Sequence, residues 1–261
     1  MELRVLTIGD VVGSSGLDYL SRNLRKLKRE HQIDFCIVNG ENASMVGMTP
    51  RQAEDIFDAG ADVVTLGNHV WNRREIIPYL EDSHYVLRPA NLSPQVPGIG
   101  YHIYDTKAGP LAVLVLVGRC GMDFGPQNPF LLAEKLVGEL DATMKIVEIH
   151  AEATSEKLAM GYMLDGKVSV VYGTHTHVPT ADLQILQQGT GYVTDLGMTG
   201  PAQSVLGVNP KQSIATFRGD LTSRYEQAPG PAKLEGAIFT IDSRSGKTVS
   251  TERVFLHEKS R

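Results

Sequence analysis

Five short apolar runs place the strongest constraint on the fold of this chain. Each run is rich in β-branched residues, and nearly continuous apolar runs of this length are typical of strands buried on both faces of a sheet. Segments with helical patterns separate the runs, so the chain is predicted to adopt an α/β fold with helices packed on a sheet. The five runs cover residues 3–9, 33–39, 62–67, 144–149 and 168–173.

Helix signals lie between these runs. Thr49 is predicted to form a capping box with Gln52, Pro50 takes the first helical position, and Gly60 supplies the stop. Further helices are predicted where leucines recur every three or four residues over 17–27, and over 128–140 and 155–164.

The last third of the chain changes character, because short strand patterns alternate with turns such as residues 242–247. We expect these strands to form a second, antiparallel sheet stacked on the first, within a single domain spanning residues 1–261. The predicted strands cover residues 183–187, 191–197, 213–217, 236–241 and 248–256.

Charge and composition exclude several classes of protein. The formal net charge of −5 offers no electrostatic footprint for duplex nucleic acid. The longest apolar run, residues 111–117, is too short to cross a bilayer, and the amino terminus lacks the features of a signal peptide. Cys36 and Cys120 give neither a disulfide framework nor a zinc spacing, and Cys36 is predicted to lie in the core. We expect a soluble cytoplasmic protein with no membrane partner, and the sequence leaves a homo-oligomer open.

Side chains with oxygen or nitrogen donors follow each of the five predicted strands. In open α/β sheets the carboxyl ends of the strands line up along one edge, and ligands bind there. Residues two apart in an extended chain face the same side, so His175 and His177 are predicted to hold one metal ion each. The residues that follow the strands are Asp10, Glu41, Asn42, Asn68, His69, His150, His175 and His177.

The chemistry of this set favours a centre of two metal ions. Oxygen and nitrogen donors without thiolate suit manganese, iron, zinc or nickel. The candidate ligands are too many for one tetrahedral ion, whereas two ions sharing a carboxylate would use them all, as two-metal phosphoesterases do. Because carboxylates and imidazoles must be deprotonated to bind, metal affinity is expected to fall in acid.

Each of these residues has another interpretation when it is taken alone. Asp10 and Asn42 are common cap and turn residues, and a single histidine such as His150 is more often a core or surface residue. Residues 9–16 are similar to a glycine-rich phosphate loop, although they lack the dinucleotide fingerprint and the Lys-Ser/Thr of a P-loop. A nucleotide-binding protein that needs no metal is therefore a rival interpretation.

Several other polar residues have two interpretations. Asp182 and Asp195 either orient ligating imidazoles or serve as turn and cap residues. Arg73, Arg74 and Arg88 either contact substrate or lie on the surface. For the aspartates the turn or cap role has at least equal support, and for the arginines the surface role is the default interpretation.

The order and spacing of these motifs carry a resemblance. "GD" at 9–10, "GEN" at 40–42, "GNH" at 67–69, His150 and "GTHTH" at 173–177 resemble the calcineurin-like metallophosphoesterases. The chain is more closely similar to their YmdB-like branch, a set of bacterial cyclic-nucleotide phosphodiesterases, and the similarity covers nearly its whole length. The resemblance implies a sandwich of two mixed β-sheets flanked by α-helices.

The resemblance also implies a role for each candidate residue. Glu41 would bridge both ions, and His69 would donate a proton to the leaving group. The remaining ligands would divide into a first site of Asp10, Asn42 and His177 and a second site of Asn68, His150 and His175.

The chain departs from the broad superfamily at the first site. The usual Asp-x-His motif is replaced by Asp10-Val11-Val12, and Gly-Asp-x-x-Asp is replaced by Gly40-Glu41-Asn42. Asn42 would fill the vacancy, which leaves the metal preference of this site open. Iron and manganese are the favoured ions, with zinc, nickel and magnesium as alternatives.

The implied reaction is hydrolysis of a small phosphodiester, with cyclic nucleotides, particularly 2′,3′-cyclic ones, as the expected substrates. Hydroxide held between the ions would attack phosphorus in line, and His69 would protonate the leaving oxygen. Two divalent ions with Asp10 and Glu41 leave a formal +2, which hydroxide and a phosphodiester, each −1, would neutralise. A phosphomonoesterase such as a nucleotidase, and a metal-containing regulatory protein with little turnover, are the alternatives.

Overall fold

A computed structural model describes residues 1–122, 125–221 and 224–258. The described strands are β1 (Glu2–Ile8), β2 (Asp10–Val11), β3 (Phe35–Asn39), β4 (Val63–Thr65), β5 (Val86–Leu87), β6 (Tyr101–Thr106), β7 (Gly109–Val117), β8 (Met144–His150), β9 (Val170–Thr174), β10 (Gln184–Ile185), β11 (Gly191–Val193), β12 (Met198–Pro201), β13 (Ala232–Asp242) and β14 (Thr248–His257). The described helices are α1 (Gly13–Glu30), α2 (Pro50–Ala59), α3 (Ile76–Asp82), α4 (Pro129–Glu139), α5 (Thr154–Leu164) and α6 (Pro210–Phe217).

The strands form two sheets, both of mixed direction. The first is 8-stranded in the order β2-β12-β13-β1-β3-β4-β5, with β14 also paired to β13. Strands β1, β3, β4 and β5 run parallel, whereas β13 is antiparallel to β1, β12 and β14. The second is 6-stranded in the order β10-β11-β9-β8-β7-β6, with parallel central pairs and antiparallel edge pairs.

Alternating side chains build a layered core. Leu3 and Val5 of β1 point towards the second sheet and share a buried cluster with Val113 of β7. Leu6 and Ile8 of the same strand point to the opposite face, where they pack with residues of α1 and α2. The outer face of the second sheet packs in the same way on α4 and α5. The layers are thus helix, sheet, sheet and helix, which confirms the predicted sandwich of two mixed sheets flanked by helices.

The predicted elements are confirmed at the segments that matter for the site. The five predicted strands correspond to β1, β3, β4, β8 and β9, and the four predicted helices correspond to α1, α2, α4 and α5. Both hydrogen bonds of the capping box are present in α2, between Thr49 and Gln52, and Gly60 ends the helix with a left-handed φ of 117°.

The expected assignment of strands to sheets is wrong. Strands β8 and β9 do not join β1, β3 and β4 but lie in the second sheet. The C-terminal hairpin β13–β14, with its predicted turn over residues 242–247, extends the first sheet because β13 pairs along the whole of β1. Strand β11 lies parallel to β9. The β6–β7 hairpin, which was not predicted, supplies β7 as the parallel neighbour of β8.

The prediction of a strand at residues 213–217 is also wrong, because this segment lies in α6. Its isoleucine, threonine and phenylalanine favour a strand by propensity. The helix start outweighs that propensity, because the Asn209 side chain accepts a hydrogen bond from the Lys211 amide and Pro210 takes the first helical position.

The described helices fall short of the requirements of a membrane span. None of them, within residues 1–122, 125–221 and 224–258, is both long and apolar enough to cross a bilayer. Cys36 is buried in β3, as predicted, and Cys120 is exposed.

Candidate metal centre

The eight candidate side chains converge where the carboxyl ends of strands from both sheets meet. The Glu41 Oε1 atom, after β3 of the first sheet, lies 2.9 Å from the Nε2 atom of His150 at the end of β8. Asp10, after β1, accepts a hydrogen bond of 3.2 Å from the backbone amide of His175, after β9. The expectation of a single sheet edge is therefore wrong, because two edges, one from each sheet, contribute to this cluster.

One group of candidates surrounds His177. The His177 Nε2 atom lies 3.1 Å from Asn42 Nδ2 and 3.6 Å from Asp10 Oδ1. Asp10 and Asn42 are buried, and the Asp10 Oδ1 atom has no hydrogen-bond partner among the described residues.

A second group surrounds His150. The His150 Nε2 atom lies 2.9 Å from Asn68 Oδ1 and 3.1 Å from His175 Nδ1. His150 is fully buried. Ligand atoms of Glu41, His150 and His175 all lie within 4.8 Å of one another, which is the separation expected of groups able to share one cation.

Glu41 lies between the two groups. Its Oε1 atom, which faces His150, also accepts a hydrogen bond of 3.3 Å from Asn42 Nδ2. Its Oε2 atom accepts one of 3.2 Å from the backbone amide of His69. The close contact between Glu41 and His150 requires a glycine at the adjoining position 67, because a Cβ atom there would lie 2.3 Å from Glu41 Oε2 and from His150 Nε2. A larger residue at position 67 would occupy the space between these ligands.

His69 borders the cluster and is half-buried. Its Nδ1 atom lies 2.9 Å from Asn42 Oδ1. Since the Asn42 amide nitrogen donates to Glu41, its oxygen faces His69, and an amide oxygen can only accept. Nδ1 of His69 therefore carries the hydrogen, and Nε2 is the atom left for proton transfer to another molecule.

Partners outside the cluster orient two of the imidazoles. The Thr174 hydroxyl donates to Glu148 Oε1 at 2.8 Å and therefore accepts from His150 Nδ1, also at 2.8 Å. The backbone carbonyl of Leu206 accepts from His177 Nδ1 at 3.2 Å. These bonds leave the Nε2 lone pairs of both histidines facing the cluster, which is the orientation that a metal ligand needs.

The two aspartates considered for this orienting role act elsewhere. The Asp195 Oδ2 atom accepts from Lys157 Nζ at 2.7 Å, and from the amide and hydroxyl of Thr176 at 3.1 and 2.7 Å. Asp182 accepts from the hydroxyls of Thr180 and Thr194. Both fix backbone segments rather than imidazoles, in line with their alternative interpretation as turn residues. The orienting roles of Thr174 and Leu206 could not be predicted from the residues at the strand ends, because their contacts with the imidazoles depend on the tertiary fold.

The segment that carries His175 and His177 is not extended, contrary to the expectation. Both residues have positive φ angles, 97° and 62°, in the left-handed region that non-glycine residues rarely adopt. The turn directs His175 towards His150 and His177 towards Asp10. The two histidines thus reach different groups by backbone turning, and such conformations concentrate at functional sites.

Burial and charge shift the pKa values in the metal-free cluster. Burial alone would lower the pKa of His150, but the charges of Glu41 and Asp10 raise it to about 9. Burial and the neighbouring His150 lower the pKa of His175 to about 4. Burial would raise the pKa of Glu41, yet the charge and hydrogen bonds of His150 and His69 hold it well below its ordinary range.

The donor set fits a cation. His150 Nε2, Glu41 Oε1 and Asn68 Oδ1 all face one another, with both oxygens 2.9 Å from the nitrogen, and neither oxygen carries a hydrogen. Such converging lone pairs need a positive charge among them, which is either a proton on His150 or a bound ion. The unpartnered Asp10 Oδ1 atom provides a second position of the same kind.

The metal-free protein is expected to be most stable near pH 6.5. Below that pH His175 binds a proton in the unfolded chain, whereas in the folded chain its pKa of about 4 keeps it neutral. Stability therefore falls in acid. Above that pH the folded chain holds the His150 proton up to a pKa of about 9, so stability on the order of 3 kcal/mol is lost between about pH 6.5 and pH 9. Urea unfolding in a chelator between about pH 5 and pH 9 measures this. A flat profile would contradict the paired charges.

The three arginines considered as substrate contacts have different environments. Arg88 is buried, and its guanidinium donates to the backbone carbonyls of Pro89, Val96 and Pro97. Arg74 is exposed. Arg73 lines a cavity beside the cluster. Arg88 therefore has a structural role.

Comparison with known proteins assigns the chain to a family. The sequence model described as YmdB-like protein matches residues 6–254. The 2′,3′-cyclic-nucleotide 2′-phosphodiesterase of Bacillus subtilis (strain 168) is 41% identical over 261 residues, covering 98% of each chain. The crystal structure of a novel phosphatase from Mycoplasma pneumoniae matches with a TM-score of 0.95 and 33% identity, covering 100% of this chain and 95% of that one.

A second solved structure agrees with the first. A hypothetical protein from Thermus thermophilus matches with a TM-score of 0.93 and 37% identity, covering 98% of this chain and 100% of that chain. These matches confirm the resemblance found in the sequence and the metallophosphoesterase-type fold. The chain belongs to the family of YmdB-like proteins.

Proposed function

We propose that this protein is a metal-dependent phosphodiesterase that hydrolyses small phosphodiesters, with 2′,3′-cyclic nucleotides as its substrates. The observation that carries the proposal is the division of buried and partly buried nitrogen and oxygen donors into two groups that share Glu41. The named activity of the Bacillus subtilis relative, 41% identical over nearly the full length, supports the substrate class.

The proposed metal ligands form two sets, which correspond to the group around His177 and the group around His150. Glu41 is the shared ligand, and the ions are iron or manganese, with zinc, nickel or magnesium as alternatives. When bound, two such ions would supply Lewis-acid activation of the phosphoryl group and of the attacking water. The first site would use Asp10, Asn42 and His177, and the second would use Asn68, His150 and His175.

His69 is proposed as the proton donor to the leaving oxygen. Its Nδ1 hydrogen is held by Asn42 and its backbone amide by Glu41, so the ring is fixed at the edge of the cluster. The imidazole is partly exposed, at 31% of its side-chain surface, and can meet a substrate. The role of this side chain is to hold a proton at Nε2 and to release it as the phosphorus–oxygen bond breaks.

We expect His69→Ala to keep both metals but to slow the hydrolysis of diesters with alkyl leaving groups by about 10²–10⁴-fold, the usual worth of general acid catalysis. A nitrophenyl diester should be slowed far less, because nitrophenolate leaves without a proton. Rates for the two kinds of diester and the metal content of the variant check this. Equal slowing of both would contradict the role.

The family assignment leaves one rival activity with its own support, since the Mycoplasma pneumoniae structure is described as a phosphatase. Comparison of bis- and mono-nitrophenyl phosphate separates diester from monoester hydrolysis. Elemental analysis of the purified protein should find about two ions per chain. Metal-loaded protein that is inert on every diester, including 2′,3′-cyclic nucleotides, would overturn the proposed function.

A further inference from the structure

A cavity of about 700 Å³ adjoins the candidate metal centre. Leu206, whose carbonyl binds His177, forms part of its wall, and Val12 and Ser44 follow Asp10 and Asn42 by two residues. The volume is in the range of small-molecule sites, roughly 300–1,000 Å³. The lining residues are Val12, Ser44, Met45, Val46, Asn72, Arg73, Leu206, Val208, Arg224 and Tyr225.

The charge of the cavity is opposite to that of the chain. The chain carries −5, yet the charged lining residues that the structure describes are Arg73 and Arg224, and none is acidic. The Arg73 Nε atom is buried and has no hydrogen-bond partner among the described residues. Its Nη2 atom makes only a long contact of 3.5 Å with the Ser44 carbonyl. The guanidinium therefore has donors available for an anion.

The local backbone fixes the position of Arg73. Residues 44–47 form a turn in which the Ser44 amide donates to the Gly47 carbonyl at 2.9 Å. Gly47 has a φ of 82°, and a Cβ atom there would lie 2.9 Å from the Arg73 Cγ atom. The glycine thus allows the arginine stem to pack on the turn, beside the residues that follow Asn42.

The rest of the wall suits an apolar, planar group. Val46, Leu206 and Tyr225 are 40%, 47% and 46% exposed and line the same cavity, and a grouped set of exposed apolar side chains is typical of a ligand-binding or partner-binding site. The Tyr225 hydroxyl donates to Thr216, which anchors its ring. A nucleobase has the flat apolar face that stacks on such a side chain.

We propose that this cavity binds the part of the substrate beyond the reacting phosphate, and that Arg73 and Arg224 bind a second phosphate there. The inference rests on the proposed function. The formal +2 of two divalent ions with Asp10 and Glu41 is already neutralised by hydroxide and one phosphodiester. The positive charges of Arg73 and Arg224 are additional, and they indicate that the ligand carries a second anionic group. The ligand class is a 2′,3′-cyclic nucleotide with a phosphate on its 5′ oxygen, either a 5′-phosphorylated mononucleotide or the cyclic-phosphate end of an oligoribonucleotide.

The test uses the metal-loaded full chain and three probes: adenosine 2′,3′-cyclic phosphate, its 5′-phosphorylated form, and adenylyl-adenosine ending in a 2′,3′-cyclic phosphate. A 5′ phosphate should raise kcat/KM at least about tenfold, the effect of one charge-assisted hydrogen bond. This advantage should shrink with salt. Preference for the phosphorylated mononucleotide identifies the small ligand, and preference for the dinucleotide identifies the chain end.

Two variants and a control assign the effect. Arg73→Gln and the exposed Arg224→Gln should each lower the ratio of kcat/KM between phosphorylated and unphosphorylated probes towards one. Arg74→Gln, an exposed neighbour outside the cavity lining, should keep the wild-type ratio. Equal kcat/KM for all three probes, or equal slowing of all three by Arg73→Gln, overturns the second phosphate site.

A binding measurement separates this inference from the proposed function. Calorimetry should find that adenosine 3′,5′-bisphosphate binds at least about tenfold more tightly than adenosine 3′-monophosphate. That preference supports the cavity assignment even if no probe is hydrolysed, whereas equal affinities overturn it.

Discussion

Replacement of Glu41 by glutamine is expected to abolish phosphodiester turnover while the chain remains folded. Glu41 is fully buried, and its carboxylate contacts side chains of both groups of the cluster. The neutral amide removes the negative charge that two cations would share, and its NH₂ group would meet the His150 ring. The loss should be at least about 10³-fold, since ions supply several kcal/mol and each ~1.4 kcal/mol is a factor of ten.

Rate and metal content together decide this prediction. Elemental analysis should find less than the wild-type metal content in the variant, and circular dichroism should be unchanged. Glu54→Gln is the matched control, because Glu54 is exposed and its carboxylate accepts a hydrogen bond from Tyr79 instead. A Glu41→Gln protein with full metal occupancy and the wild-type rate would show that Glu41 is not a shared ligand.

Replacement of Lys157 by methionine is expected to cost about 3–5 kcal/mol of unfolding free energy, the usual cost of leaving one partner of a buried ion pair alone. Lys157 Nζ and Asp195 Oδ2 lie 2.7 Å apart, with side chains 0% and 1% exposed. The same carboxylate oxygen holds Thr176, between the two histidines with left-handed backbone. Metal affinity should therefore fall together with stability.

Urea unfolding and a competition titration with a chromophoric chelator measure the two effects. Lys135→Met provides the control, because this lysine is exposed on α4 and its loss should change stability by less than about 0.5 kcal/mol. If Lys157→Met matched that control in stability, the ion pair would have no part in holding the histidine turn.

The elements nearest the site were predictable because each carries a local signal. Buried runs mark β1, β3, β4, β8 and β9, and the Thr49 capping box marks α2. Strand partners were not predictable, because pairing between β13 and β1 joins residues more than 200 apart in sequence. At α6 the β-branched and aromatic composition favours a strand, whereas the Asn209-Pro210 helix start favours the observed helix.

The candidate residues could be predicted because polar side chains follow the strands. The residues that orient those side chains could not be predicted. Thr174 and Glu148 are ordinary strand residues until the fold places them behind His150. The Leu206 carbonyl has no side-chain signal at all. The positive φ angles of His175 and His177 also depend on tertiary contacts, since residues other than glycine rarely adopt that conformation without them.

The cluster draws its side chains from both layers of the sandwich, and this has a consequence for maturation of the protein. Asp10 and Glu41 leave the ribosome early, whereas His150, His175 and His177 follow more than 100 residues later. Neither half alone offers the donors for a tight site. Capture of the proposed metal ions would therefore follow the docking of the two layers, so the ions would stabilise the assembled fold rather than initiate its folding.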